Sequence, residues 1–323
     1  MIKYESLHQD LLMQLKKKVP QHSKLVTQLI DILRLERMAV YRRLRREVPF
    51  SFEEIMIIAD EFNISLDNML GVDARTTLPF RFQPIEKGNL VEIDYSLLDE
   101  YLQALKDIAS DPKGEISLVT NLLPQLLYTG FKFVYRFYYF KWLYYSIPAN
   151  QIIPYHEIIF PDRLVQIAED IFTYSKNIKT GYYILDNRIF QNFVDDVTFF
   201  NSIRLITDDD VLCIKDELFR FLDYMEDIAI KGFADNPANK IYIYTSDTNI
   251  DASYYYVDSQ HSLRFVLIWS FIFNSVLTFD EETLEMMKHR IRSIIRTSTL
   301  LSVTGEKQRS EYFEKERKIV EQL

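Results

Sequence analysis

Glycine is scarce in this chain, with seven in 323 residues. So few permissive turn positions favour long helices with short connections, and leave little material for a phosphate-cradling loop. No Walker A loop, GxSxG elbow or dinucleotide-binding glycine fingerprint occurs, so catalysis has no support in the motifs. Cysteine is scarcer still. The single Cys213 excludes an internal disulfide and fits a reducing cytosol. Its apolar neighbours Val211, Leu212 and Ile214 lead us to expect a buried, inert thiol there. The five histidines show no metal-ligand spacing with each other or with Cys213, and no cofactor is implied. Long hydrophobic runs are also missing. The most apolar segment, Phe265 to Phe279, falls short of the ~20 residues that span a bilayer, so it reads as one buried core element. The opening MIKYESLHQDLL has no signal-peptide run, and a cytoplasmic protein without a membrane partner is expected.

What is abundant is aromatic and unevenly charged. There are 23 phenylalanines and 21 tyrosines. The net charge is −9, which taken alone argues against a nucleic-acid binder. Yet Lys16 to Arg46 carries ten basic and two acidic side chains, a local +8 that leaves −17 for the rest. A basic island on an acidic body is the distribution expected of a regulator with one DNA-binding module.

Hydrophobic periodicity divides the chain. Leu7, Leu11, Leu12 and Leu15 predict a helix over 4–18, ended by Pro20. Helices follow at about 24–33 and 37–46. Ser51 to Glu54 is a capping box opening a fourth, and Ser65 to Gly71 forms a short fifth. Residues 72–93, with Pro79, Pro84 and Gly88, read as a linker. Beyond it, helices are expected at 94–108, 161–174, 188–204, 209–231, 281–300 and 306–322, and strands at 181–186, 240–246 and 253–257. The fold class is therefore mainly α: a five-helix unit over 1–71 and a larger, helix-dominated α+β unit over 94–323.

The stretch LIDILRLERMAVYRRLRRE, followed by FSFEEIMIIADEFNISLDNMLG, resembles the helix-turn-helix domain of the lambda-repressor/Cro-like family of bacterial phage-type regulators. The resemblance covers residues 1–71. Leu29, Leu33, Leu35, Val40 and Leu44 would fill the family's apolar frame. Two positions depart from its pattern: Arg34 stands where a turn glycine is usual, and Ile30 where a small residue is. The resemblance implies that the third helix reads base edges in the major groove through Arg37, Met38, Ala39, Tyr41 and Arg42. Lys24, Thr27, Arg45 and Arg46 would hold phosphates. It also implies a homodimer on double-stranded DNA, with half-sites ~34 Å apart. A protein-docking adaptor built on the same helices is the rival reading.

Phe131 to Tyr145 holds ten aromatics in fifteen positions. Three readings stand: a thick core helix, a pocket for a small-molecule or peptide effector, or a dimer surface, the last two using Tyr135, Tyr138, Tyr139 and Trp142. Asp208 to Asp210 reads as a helix start favoured by the dipole.

Overall fold

The computed structural model describes residues 4–19, 21–62, 64, 66, 81–83, 95–259, 264–269 and 275–323. The chain divides into two compact units, Met1–Leu78 and Pro79–Leu323.

Among the described residues of the first unit, four helices pack around one apolar cluster: α1 Tyr4–Lys18, α2 His22–Leu33, α3 Arg37–Leu44 and α4 Phe52–Glu61. Leu11 and Leu15 of α1, Leu25, Val26 and Leu29 of α2, Val40 of α3 and Ile58 of α4 are each almost wholly buried. Side chains of this size contribute roughly 1.5–3 kcal/mol each when fully buried. The capping box is present: the Glu54 amide donates to Ser51 Oγ at 3.2 Å, and the Ser51 amide donates to Glu54 Oε2 at 2.9 Å. The fifth helix expected over 65–71 lies almost entirely outside the described residues.

The second unit is mainly helical α+β. Its elements run β1 Arg81–Gln83, α5 Ser96–Ser110, β2 Glu115–Thr120, α6 Gln125–Tyr128, α7 Lys132–Ser146, α8 Asp162–Ser175, β3 Thr180–Asp186, α9 Ile189–Ser202 and α10 Asp208–Lys231. There follow β4 Lys240–Ser246, β5 Tyr254–Asp258, β6 Phe265–Trp269, β7 Ser275–Thr278, α11 Glu281–Arg296, β8 Ser298–Leu300 and α12 Glu306–Val320. The described strands form one sheet in the order β1-β7-β6-β5-β2-β3-β4-β8. β2, β3 and β4 run parallel, joined by helical crossovers, and the flanking strands pair antiparallel.

Alternation along the strands sorts side chains to two faces. Ile116, Leu118, Tyr183, Leu185, Tyr255 and Val257 join the large cluster formed with α5 to α10 and α12. Val119, Ile184, Tyr254, Tyr256 and Val266 meet Leu284, Met287 and Ile291 of α11 on the other face. α10 opens on a Thr207/Asp210 capping box and ends on Gly232, at φ 76°, where a Cβ would sit 2.7 Å from Val303 Cγ2.

Several expectations are corrected. The stretch read as a linker contains β1, paired with β7 at a sheet edge. The apolar segment from Phe265 is an antiparallel strand pair, β6 with β7. The last helix turn expected before residue 300 is β8, and β2 was not foreseen. Cys213 is exposed: helical spacing turns Ile214 and Leu218 inward on α10 and leaves Leu212 and Cys213 outside. No described helix is long and apolar enough to cross a membrane.

Candidate nucleic-acid interface

The candidate site is the outer face of α3, and its placement begins with the turn before it. α2 ends at Arg34, whose φ of 51° and ψ of 39° place it in the left-handed region. A glycine would reach this conformation without a Cβ penalty, and here arginine adopts it. Leu35 and Glu36 complete the turn, and Glu36 is the extended N-cap of α3.

The inner side of α3 is fixed by packing. Val40 is fully buried and in one cluster with Leu29, while Leu33, Leu35 and Leu44 pack against that cluster half-buried. A second fixture is polar. Arg43 donates from Nε and Nη2 to the two carboxylate oxygens of Glu54, both at 2.7 Å, and from Nη1 to the Ala39 carbonyl at 3.3 Å. Only 17% of the Arg43 side chain and 14% of the Glu54 side chain is exposed. Burial alone would raise the Glu54 pKa, but the Arg43 hydrogen bonds and the Ser51 amide outweigh it and hold the carboxyl below its ordinary value. One carboxylate thus caps α4 and anchors α3.

The outer side carries Arg37, Met38 and Arg42, all exposed, Met38 by 63%. Ala39 and Tyr41 are half-buried. The Arg37 guanidinium lies 5.8 Å from the Tyr41 ring centroid, and His22 of α2 stacks on the same ring at 6.0 Å. Tyr41 is therefore braced between two elements. Arg42 and Arg45 share one anion: their Nε atoms lie 3.8 and 3.0 Å from the carboxylate oxygens of Glu47.

The residues expected at phosphates are placed unequally. Lys24 and Thr27 are exposed on α2. The Thr27 hydroxyl already donates to the Ser23 carbonyl at 3.1 Å, leaving its oxygen as an acceptor. Arg46 takes the left-handed conformation at φ 63° and donates weakly to Gln9 Oε1 of α1 at 3.4 Å. Beneath it, His8 packs edge-on against Phe50. Burial, helped by the Arg46 charge, lowers its pKa against a raising backbone bond at Arg43.

The role of Arg43 in the frame and the shared Glu47 are not apparent from the sequence. Contacts eleven residues apart have no periodic signature, so Arg43–Glu54 could be found only in three dimensions.

In the second unit, Tyr135, Tyr138, Tyr139 and Trp142, named for a pocket or an interface, lie in the core, and Tyr138 also lines a cavity of about 20 Å³. Their exposures are 2, 3, 3 and 6%, inside the main cluster. Tyr139 stacks on Trp142, Tyr138 stacks on Tyr128, and the Tyr138 hydroxyl accepts from the Leu123 amide at 3.2 Å. Rings pack on rings from several sides of α7, which is why the helix looks aromatic all round. No family model, curated protein or solved structure matches the chain.

Proposed function

We propose that the first unit binds double-stranded DNA by laying α3 in the major groove, and that the protein is a cytoplasmic transcriptional regulator acting as a homodimer. Arg37, Met38, Ala39, Tyr41 and Arg42 would meet base edges, with Arg37 and Arg42 suited to the paired acceptors of guanine. Lys24, Thr27, Arg45 and Arg46 would contact phosphates. The observation that carries the reading is the outward presentation of Arg37, Met38 and Arg42 on a short helix whose inner side is pinned by Val40 and Arg43. The second unit would sense an effector or join two copies.

The test is selection from a random double-stranded DNA library with the full chain. A recovered motif with two-fold symmetry is expected, its half-sites ~34 Å apart. The Arg37→Ala, Arg42→Ala double variant should lose that motif while keeping its circular dichroism. Failure to enrich any sequence, or unchanged binding by the double variant, overturns the proposal.

A second reading has one observation in its favour. Phe52, Met56 and Ile57 of α4 are exposed by 76, 47 and 43%, an apolar surface suited to a protein partner. Salt separates the two readings. DNA binding weakens steeply as salt rises because neutralised phosphates release counterions, and contact through this apolar surface would not.

A further inference from the structure

The sheet of the second unit is wide, and α5 lies across from its strands β6 and β7. Between them lies an apolar pocket of about 310 Å³. Leu98, Tyr101 and Ala104 of α5 form one wall, and Leu267, Trp269 and Leu277 form the other. The volume lies at the lower end of small-ligand sites, ~300–1,000 Å³.

Among the polar side chains of this lining, two are placed to recognise a ligand. Gln125, the first residue of α6, is only 7% exposed, and its Oε1 is buried without a hydrogen-bond partner among the described residues. The Trp269 indole Nε1 is in the same state. Both residues also line a second cavity of about 20 Å³ next to the first, together with Thr120 and Ser253. A buried acceptor and a buried donor left unmade each cost roughly 1–3 kcal/mol. Both lie beside the apolar volume, where a bound molecule could satisfy them.

The charge around the pocket narrows what that molecule is. Glu100 and Asp107 line it, and among the described residues no lining side chain is basic. An anionic head would therefore enter against two carboxylates without a described cation to meet it.

We propose that this pocket binds a small, uncharged, largely apolar molecule carrying a paired donor and acceptor, such as a primary amide or lactam. The apolar body fills the space between α5 and β6–β7. The head donates to Gln125 Oε1 and accepts from Trp269 Nε1, after a small side-chain rotation that brings those atoms to the pocket surface. The proposal concerns the second unit alone and stands whether or not the first unit binds DNA.

Trp142 and Trp269 are the two tryptophans of the chain, so Trp142→Phe leaves Trp269 as the sole indole reporter. Decanamide and decanoate, equal in chain length, serve as probes on that variant, with calorimetry on the unaltered chain as a second measurement. Decanamide should change Trp269 emission saturably, and decanoate should bind at least tenfold more weakly. Ala104→Phe, which fills the pocket, should abolish the change. Gln125→Leu should weaken decanamide about tenfold with little effect on decanoate. No saturation by decanamide in either measurement, equal affinity for the two probes, or indifference to Ala104→Phe would each overturn the assignment.

Discussion

Arg43 holds Glu54 through two parallel hydrogen bonds, Nε to Oε2 and Nη2 to Oε1, each 2.7 Å long. The pair joins the third helix to the cap of the fourth, so the half-buried arginine of α3 is committed to the fold. Arg43→Ala should destabilise the first unit by about 2 kcal/mol, in the range of hydrogen bonds to charged groups. Arg42→Ala, at a 57% exposed side chain, should leave stability unchanged. Urea denaturation of both variants checks this, and equal stability would remove Arg43 from the frame. The pH dependence follows from Glu54. Its folded pKa lies below the ordinary 4.5, so its stabilisation is complete above that value. It is lost as pH falls through the lower, folded value.

Arg34 offers a gain in the opposite direction. Its left-handed backbone costs a non-glycine residue about 1–2 kcal/mol, and its side chain is exposed, so little packing opposes a change. Glycine relieves the strain but loses roughly 0.5–1 kcal/mol through greater freedom in the unfolded chain. Arg34→Gly should therefore stabilise by up to about 1.5 kcal/mol, while a β-branched Arg34→Val should destabilise. Thermal unfolding of the pair provides the comparison. A glycine variant less stable than the parent would mean that the Arg34 side chain contributes something beyond the turn.

Glu47 is the residue that tempers the candidate interface. It lies 3.8 Å from Arg42 and 3.0 Å from Arg45, with all three side chains about half exposed. Such exposed pairs add little to stability, so Glu47→Gln should fold normally. If α3 meets DNA, removing this anion frees two guanidinium groups and strengthens binding on the order of threefold to tenfold at low salt, with the gain shrinking as salt screens it. Titration of the selected motif by fluorescence anisotropy at two salt concentrations measures it. Weaker binding by Glu47→Gln would show that the carboxylate positions Arg42 rather than competing for it.

Local patterns in the chain were readable where one element settles its own structure. Leu11, Leu12 and Leu15 mark the buried face of α1, Ser51 and Glu54 announce a cap, and Ile241 and Ile243 alternate with half-buried tyrosines on the other face of β4. What failed depends on partners distant in sequence. β1 is three residues long and exists through pairing with Val276 and its neighbours. Phe265 to Trp269 and Phe271 to Phe273 are unbroken apolar runs, so no alternation announces two strands instead of one segment. Cys213 follows an apolar stretch, yet the 3.6-residue period places it outside. At the candidate site the outward Arg37 and Arg42 were legible. The commitment of Arg43 to Glu54 and the shared Glu47 were not, because each depends on how the chain returns in space.

Glu316 on α12 is wholly buried, with Oε1 3.2 Å from Lys315 Nζ and Oε2 without a partner among the described residues. Burial raises its pKa above the ordinary 4.5, and Lys315 opposes that only in part. A raised folded pKa means the native state holds the proton more tightly than the unfolded chain. The group's contribution is then greatest below 4.5 and declines as pH rises towards the folded value. Glu217, raised in the same direction by burial against the amides of Val134 and Phe133, adds to the same slope. Glu316→Gln keeps the shape and removes the ionisation. It should be more stable than the parent at pH 7 by on the order of 1 kcal/mol, the scale of one unsatisfied buried group, and nearly equal at pH 4. Urea midpoints at the two pH values test the sign. A glutamine variant weaker at pH 7 would show that the Glu316 carboxylate is ionised and bound to Lys315 strongly enough to repay its burial.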